Sequence, residues 1–177
     1  GVDSSVVAAL GKRAFPDDIL GVIMPCHSDP EDARLAREVA HTFDIPTVEV
    51  VLDEVFDRLQ ALLAGGADAL GLTATGSSRQ RVASANLKPR LRMLVLYYYA
   101  NLTNYLVLGT GNLTELHIGY FTKHGDGGVD LLPIGGLVKR EVYALARLLG
   151  VPQTVLERPP SAGLWAGQTD EAELGLT

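Results

Sequence analysis

The stretch ILGVIMPCHSDPEDARLAREVAHTFDIPTVEVVLD, residues 19 to 53, contains two apolar segments separated by an amphipathic one. The first apolar run, 19 to 25, ends at a proline, and the second is TVEVVLD at 47 to 53. Between them, Ser28-Asp29-Pro30-Glu31 supplies an N-cap, an early proline and an acidic first turn for a helix over 29 to 43. The pattern predicts strand, helix, strand, which is the unit of a parallel sheet with a right-handed crossover.

The same alternation continues on both sides of this stretch. A further strand is predicted at 106 to 111, where LVLGTG runs into a glycine turn. Residues 65 to 84, GGADALGLTATGSSRQRVAS, lack periodicity and are predicted to form a mobile loop. Helices are predicted at 3 to 12, 54 to 63, 86 to about 104, and 137 to 149. The alternation indicates an α/β fold with a doubly wound parallel sheet, whose ligands bind at the carboxyl ends of the strands.

The composition is typical of one globular domain that binds a small molecule. Hydrophobic residues make up 47% of the 177 residues and charged residues 20%, which excludes a disordered chain. The net charge of −6 argues against nonspecific nucleic-acid binding, and no apolar run approaches the roughly 20 residues of a membrane span. The single cysteine, Cys26, rules out an intrachain disulfide and favours a reducing compartment, the cytoplasm.

The two ends of the sequence lead to an expectation about the domain. GVDSS opens directly on a helix without the preceding strand that a doubly wound sheet calls for, and ELGLT ends without a closing helix or turn. We therefore expect residues 1 to 177 to form a single domain that lacks its first strand and its C-terminal tail.

Two segments carry residues suited to a phosphate and a metal ion. Gly1-Val2-Asp3-Ser4-Ser5 offers backbone amides, hydroxyls and a helix N-terminus to an anion, although an ordinary N-cap explains it equally well. GTGNLTE at 109 to 115 follows a predicted strand and puts Thr110 and Glu115 on a turn at the ligand-binding edge, unless Glu115 is simply a solvated helix residue. Asp3 and Glu115 come from different strand ends and can reach one Mg²⁺ ion.

Further candidate binding residues lie beyond residue 85. GYFTKHGDGGVD at 119 to 130 combines aromatics, Lys123 and aspartates on a glycine-rich backbone, and its acidic spacing does not match an EF-hand. Lys139 opens the last helix, where a cation opposes the helix dipole and a bound phosphate would explain it, whereas Arg140 is expected to face solvent. Arg90 opens the helix at 86 and is suited to a phosphate or carboxylate. The proline- and glycine-rich segment around Trp165 is predicted to close over a site.

These segments resemble, in order and spacing, those of the NAD synthetase family. GVDSS resembles the end of the SGGxDS pyrophosphate loop that ATP pyrophosphatases share, so it identifies the superfamily, whereas the later blocks are more specific. The leading serine and glycine of that loop and the late His-Lys pair of the family are absent here. The matching blocks span nearly the whole chain: GVDSS, NLKPRLRM, LVLGTGNLTE, GYFTKHGDGGVDLLPIGGLVK and PPSAGLWAGQTDEAELG.

The resemblance implies an adenine nucleotide alpha-hydrolase-like, Rossmann-like fold and a homodimer. It implies that Asp3 and Glu115 hold magnesium, and that Arg90, Lys123 and Asp130 bind nicotinic acid adenine dinucleotide (deamido-NAD). The residues that it implies for ATP are Gly1, Asp3, Ser4, Thr110, Lys139 and Ser161.

The reaction implied by the resemblance is the ATP-dependent amidation of deamido-NAD to NAD. The nicotinate carboxylate attacks the α-phosphate of ATP, pyrophosphate leaves, and ammonia then displaces AMP from the adenylated intermediate. Lys139 would neutralise the charge that grows on pyrophosphate, and Asp130 is the candidate general base. The 65 to 84 loop and the tryptophan loop are expected to exclude water as lids.

Other functions stay open at this level. Another ATP pyrophosphatase, GMP-synthetase-like or tRNA-thiolating, would share the adenylation step, although the GYFTKHGDGGVD block favours an NAD synthetase. A noncatalytic nucleotide-binding module would fit the incomplete phosphate loop. Ammonia is the expected nitrogen donor because the chain contains no glutaminase domain, and such a domain before Gly1 would change that expectation.

Overall fold

The strand–helix–strand unit predicted at 19 to 53 is present in the computed structural model, which describes residues 1–72 and 78–158. Asp29 caps the helix of this unit by accepting a hydrogen bond from the Glu31 N–H over 2.9 Å. The strands are β1 (Gly21–Ile23) and β2 (Thr47–Glu49). The helices are α1 (Val2–Ala14), α2 (Pro30–Thr42), α3 (Asp53–Ala69), α4 (Ser78–Ala85), α5 (Leu87–Thr103), α6 (Leu113–Ile118), α7 (Lys139–Leu149) and α8 (Gln153–Leu156).

The described strands pair in parallel, as the sequence predicts. β1 and β2 are in register from Gly21 opposite Thr47 to Ile23 opposite Glu49. Backbone hydrogen bonds continue the pairing beyond the regular strands, and the last of them runs from the Leu52 N–H to the Pro25 carbonyl over 2.8 Å. The predicted strand at 106 to 111 is reduced to one parallel bridge, between Leu108 and Leu131.

The main core lies between α1, α2 and α7. Val6, Ile134 and Val142 are fully buried there, and Ala146 on α7 is also 0% exposed. Burying a side chain such as Val142 contributes about 1.5–3 kcal/mol. Packing of α1 against α7 therefore fixes the relative position of their amino-terminal ends.

A smaller core lies at the carboxyl end of β1, beneath α3 and α5. Cys26 is fully buried, and Leu52 and Phe56 pack with it. Burial raises the pKa of the Cys26 thiol, so this cysteine is a packing residue. Leu91 and Val95 of α5 lie against the same cluster.

The predicted mobile loop at 65 to 84 is wrong for most of its length. Helix α3 continues through Gly65 and Gly66 to Ala69, and α4 begins at Ser78. Both helices expose most of these residues to solvent, so no apolar periodicity marks them in the sequence. Gln60 of α3 donates a hydrogen bond to Ser84 of α4, which joins the two helices. Residues 73 to 77 of the predicted loop lie outside the described residues.

Within residues 1–72 and 78–158, no helix is both long and apolar enough to cross a membrane.

Candidate active site

Lys139 lies at a polar cluster where the amino-terminal ends of three helices meet. Its Nζ is 2.5 Å from Asp3 Oδ2 and 3.7 Å from Glu115 Oε1. Asp3 belongs to the first turn of α1, Glu115 to the first turn of α6, and Lys139 is the first residue of α7. A lysine opposes the helix dipole at this position, and the two carboxylates offset that cost. The structure therefore brings together three side chains that the sequence predicts separately as site residues.

Asn112 fixes both carboxylates of this cluster. Its Nδ2 donates to Asp3 Oδ1 over 3.0 Å, and its Oδ1 accepts from the Glu115 N–H over 3.0 Å. Glu115 in turn accepts from the Asn112 N–H over 3.1 Å, which completes a capping box at the start of α6. Asn112 is 0% exposed. Sequence reasoning missed this residue, although the Asn112-x-x-Glu115 spacing is a signal for a helix start.

The cluster lies just past the strand-like segment that ends at Gly109. A Cβ at Gly109 would lie 2.5 Å from Val129 Cγ2 and 2.8 Å from Leu132 Cδ2, so only glycine fits between these side chains. Thr110 follows, half-buried, two residues before Asn112. The turn predicted at 109 to 115 is thus a short connection that enters helix α6 at Leu113.

Three of the residues that the resemblance implies for ATP, Gly1, Asp3 and Ser4, lie at the start of α1. The hydroxyls of Ser4 and Ser5 each donate to the Gly1 carbonyl over 2.9 Å. Ser4 is exposed and Ser5 is buried, so Ser4 faces solvent at the helix N-terminus. Gly1 and Ser4 are thus within two residues of Asp3 in the chain, and Thr110 is two residues before Asn112. Ser161 and Trp165 lie outside the described residues.

The residues predicted for the second substrate form another group around α5. Arg90 donates from Nε to the Lys123 carbonyl over 3.2 Å, so the backbone of the glycine-rich loop contacts this helix. Asp130 accepts from the Tyr97 hydroxyl over 3.0 Å and from the Val107 N–H over 2.8 Å. The pKa of the Tyr97 phenol is raised by desolvation and then by this bond to Asp130.

The two groups lie at different ends of the segment 107 to 111. Asp130 is bonded to Val107, whereas Thr110 and Asn112 lie at the carboxyl end beside the Lys139 cluster. Three residues of extended chain cover about 10 Å. The two groups of predicted site residues are thus separate along this segment.

The glycine-rich loop is held by its own side chains. Asp126 accepts from the Thr122 N–H over 2.9 Å, and the Thr122 hydroxyl donates to Asn86 Oδ1 over 2.7 Å. Thr122 is buried, with 8% of its surface exposed. Asp126 thus shapes the loop and Thr122 fastens it to the amino-terminal end of α5, where Arg90 lies.

Asp3 and Glu115 also satisfy the geometric condition for a shared cation. Both direct an oxygen at the same ammonium group, so their carboxylates converge on one position. No cluster of three or more His, Cys, Asp or Glu side chains with metal-binding geometry occurs in residues 1–72 and 78–158. Two carboxylates suit Mg²⁺, which completes its coordination with waters and substrate phosphates.

Comparison with solved structures agrees with this architecture. NMN synthetase from Francisella tularensis superposes with a TM-score of 0.87 at 36% identity, covering 100% of this chain and 69% of that one. NAD⁺ synthetase from Burkholderia pseudomallei superposes with a TM-score of 0.76 at 32% identity, covering 95% of this chain and 64% of that one. The predicted adenine nucleotide alpha-hydrolase-like fold is thereby confirmed.

Comparison with protein sequences identifies the family. The model of the family described as NAD synthase matches residues 1–177. The NH(3)-dependent NAD(+) synthetase of Carboxydothermus hydrogenoformans is 55% identical over 100% of this chain and 70% of its own length. That of Methanocaldococcus jannaschii is 45% identical over 99% of this chain and 65% of its own length. The chain belongs to the NAD synthase family.

Proposed function

We propose that this protein is an ammonia-dependent NAD synthetase, which uses ATP to amidate deamido-NAD and releases AMP and pyrophosphate. The observation that carries the proposal is Lys139 between Asp3 and Glu115, at the meeting of three helix N-termini, in a member of the NAD synthase family. Relatives named for this ammonia-dependent reaction match the chain at 44–55% identity. Such a cluster suits an enzyme that must stabilise the negative charge of a departing pyrophosphate.

ATP would bind with its phosphates at the amino-terminal end of α1. Unpaired helix N–H groups at this end favour phosphate oxygens, and the exposed hydroxyl of Ser4 adds a donor. Lys139 supplies a positive charge that the packing of α1 on α7 holds near these groups. We assign to Lys139 the neutralisation of charge on the β- and γ-phosphates as the bond to the α-phosphate breaks.

Asp3 and Glu115 would hold the magnesium ion, which when bound screens the charge of the triphosphate. Asn112 keeps both carboxylates oriented, because its Nδ2 donates to the Asp3 carboxylate and its backbone N–H donates to Glu115 Oε2. The Asn112 amide is buried, so it holds the Asp3 carboxylate in one orientation with little competition from water.

Deamido-NAD would extend from this cluster toward α5. Arg90 provides a guanidinium suited to a phosphate or carboxylate. This guanidinium donates to the backbone carbonyl of Lys123 in the glycine-rich loop. Asp130 accepts two hydrogen bonds and retains acceptor capacity for a substrate hydroxyl or for ammonium. The role of Asp130 as general base is part of this proposal.

A smaller substrate is the second candidate. The structural relative from Francisella tularensis is an NMN synthetase, and it covers this whole chain at 36% identity. Amidation of nicotinic acid mononucleotide would use the same adenylation chemistry on a substrate without the adenylate half. The relatives named for NAD synthesis, at 44–55% identity, favour the dinucleotide for this chain.

We also propose that the enzyme is a homodimer in the cytoplasm. Leu94, Tyr98 and Leu102 lie on one face of α5, and each exposes more than 60% of its surface. Large apolar side chains at four-residue spacing form a stripe that a second copy of the chain would cover. The reducing compartment rests on the free, buried Cys26.

Steady-state assays test the proposed function. NAD formation with ATP and ammonium is expected from deamido-NAD, with a kcat/KM at least tenfold above that for the mononucleotide. Ammonium is expected to support the reaction and glutamine is not. A higher kcat/KM with the mononucleotide would replace the proposal by the second candidate, and activity with neither substrate would contradict both.

A further inference from the structure

Lys88 is a lysine with a buried stem and an Nζ that reaches solvent. Only 6% of its surface is exposed, and its Nζ lies 5.5 Å from the centroid of the Phe56 ring. Lys88 forms no hydrogen bond or ion pair with residues 1–72 and 78–158. In this part of the chain, every fully buried side-chain nitrogen or oxygen has a hydrogen-bond partner. The Nζ must therefore reach solvent, while the methylene stem is buried.

The position of Lys88 is unfavourable for stability. Burial lowers the pKa of its ammonium, so the protein environment disfavours the charged form. Lys88 is also in the first turn of α5, where the helix dipole repels a cation, and this turn contains no acidic residue. Cation–π contact with Phe56 offsets only part of this cost. A charge kept at such a position points to a bound anion.

Arg92 lies one helical turn further along the same face of α5. Its Nε donates to the Met24 carbonyl over 3.1 Å, and its Nη2 lies 3.2 Å from Ser28 Oγ. Met24 and Ser28 lie in the segment that follows β1, and Phe56, over which Lys88 lies, packs against Cys26 of that segment. Lys88 and Arg92 therefore lie near the edge of the sheet where ligands bind in this fold. Burial lowers the pKa of Arg92 as well.

Two carboxylates near this pair bond to His27 instead. Asp53 accepts from the His27 N–H over 2.6 Å, and Asp57 lies 2.7 Å from His27 Nε2. Neither Lys88 nor Arg92 forms an ion pair within the described ranges 1–72 and 78–158. Burial lowers the pKa of both, and nearby carboxylates oppose part of this shift: Asp53 for Lys88, and Asp32 and Asp126 for Arg92. Lys88 and Arg92 are thus two cations near the carboxyl end of β1 that lack an ion-pair partner among these residues.

We propose that Lys88 and Arg92 form an oxyanion subsite for a phosphate group of a nucleotide substrate, at the carboxyl end of β1. This subsite is built from α5 and the segment 24 to 28 that follows β1, whereas the Lys139 cluster is built from α1, α6 and α7. The inference rests on the proposed function, because both ATP and deamido-NAD supply such phosphates. A phosphate would pair with the open Nζ of Lys88 and with N–H groups of the Arg92 guanidinium.

Replacement of Lys88 by methionine tests the subsite. K88M keeps an apolar stem against Phe56 and removes only the charge, so the variant is expected to melt at or above the wild-type temperature. Its KM for one nucleotide is expected to rise at least tenfold, with kcat within threefold of wild type. A higher KM for ATP would show that the subsite binds an ATP phosphate. A higher KM for deamido-NAD would show that it binds a phosphate of the dinucleotide.

K12M and K88R are the controls. Lys12 lies at the other end of α1 beside Asp44, so K12M removes a lysine charge far from the sheet edge and is expected to keep both KM values. K88R keeps the positive charge and is expected to stay within threefold of wild type. Unchanged KM values for both substrates in folded, active K88M overturn the inference, which then leaves Lys88 a packing residue.

A binding measurement separates this inference from the proposed function. If the wild-type protein forms no NAD, the proposed function fails, and calorimetric titration with ATP and with inorganic pyrophosphate still tests the subsite. Binding of either anion at least tenfold weaker in K88M supports the subsite, and equal affinity in the two proteins overturns it. If K88M does not fold, the same titration is made with K88Q and R92K. Affinity at least tenfold weaker in these variants supports the subsite, and affinity equal to that of the wild-type protein overturns it.

Discussion

The ammonium of Lys139 lies 2.5 Å from the carboxylate of Asp3, although 136 positions separate these residues in the chain. The contact depends on the packing of α1 against α7, where Val6 and Val142 are fully buried. The geometry of the candidate active site is therefore set by the main core.

Replacement of Lys139 by methionine is expected to reduce kcat by about 10²- to 10³-fold, because the charge on departing pyrophosphate loses its partner. The measurement is the steady-state rate of NAD formation. R140M is the matched control, since Arg140 is exposed at the next position and its variant is expected to stay within twofold of wild type. Equal rates for K139M and wild type would remove Lys139 from the mechanism.

Replacement of Asn112 by alanine is expected to destabilise the fold by about 1–3 kcal/mol, because a buried hydrogen-bond partner and an N-cap are lost together. The free energy of unfolding in urea measures this loss. N112S retains a good N-cap and is expected to lose less stability than N112A. If N112A unfolds at the wild-type urea concentration, Asn112 does not hold the cluster together.

Glutamate at Leu94 and Leu102 is expected to convert the proposed homodimer to a monomer, because two charges per chain would enter an apolar interface. Sedimentation velocity gives the mass directly. Leu148 is 81% exposed on α7, so L148E is the control that is expected to leave the mass unchanged. A wild-type protein that sediments as a monomer would contradict the dimer.

The stability of K88M relative to wild type is expected to depend on pH. The pKa of Lys88 is lowered from 10.5 in the folded protein, so between that lowered pKa and 10.5 the unfolded chain binds more protons. The contribution of Lys88 to stability then rises with pH. The free energy of unfolding of K88M should therefore exceed that of wild type most at neutral pH, and this difference should shrink toward about pH 10.

Urea unfolding at several pH values measures this difference, with K12M as the control for a lysine beside an exposed carboxylate. An advantage of K88M that grows with pH would show that the ammonium of Lys88 is stabilised in the fold.

Sequence reasoning predicted the elements that carry periodicity and caps. The helix at 29 to 43 and the strands on either side of it were recognised because apolar residues alternate with turn signals, and Asp29 caps the helix as expected. The helical state of 65 to 69 was missed because Gly65 and Gly66 suggest a loop, while the space around them is open and a helix tolerates them there.

The candidate site was predictable only in part. Asp3, Glu115 and Lys139 were selected from the resemblance and from strand ends, and the structure joins them in one cluster. Asn112 and Lys88 were missed because a single sequence does not reveal the burial of a polar side chain. The catalytic and substrate-binding roles of Asp130, Arg90 and Lys123 stay predictions.

The most direct test of the proposed function is the exchange of labelled pyrophosphate into ATP, measured with magnesium and without ammonia. We predict exchange that requires deamido-NAD, is lost in K139M, and is not supported by xanthylate or tRNA. Absence of exchange with deamido-NAD, or equal exchange with xanthylate, would contradict it.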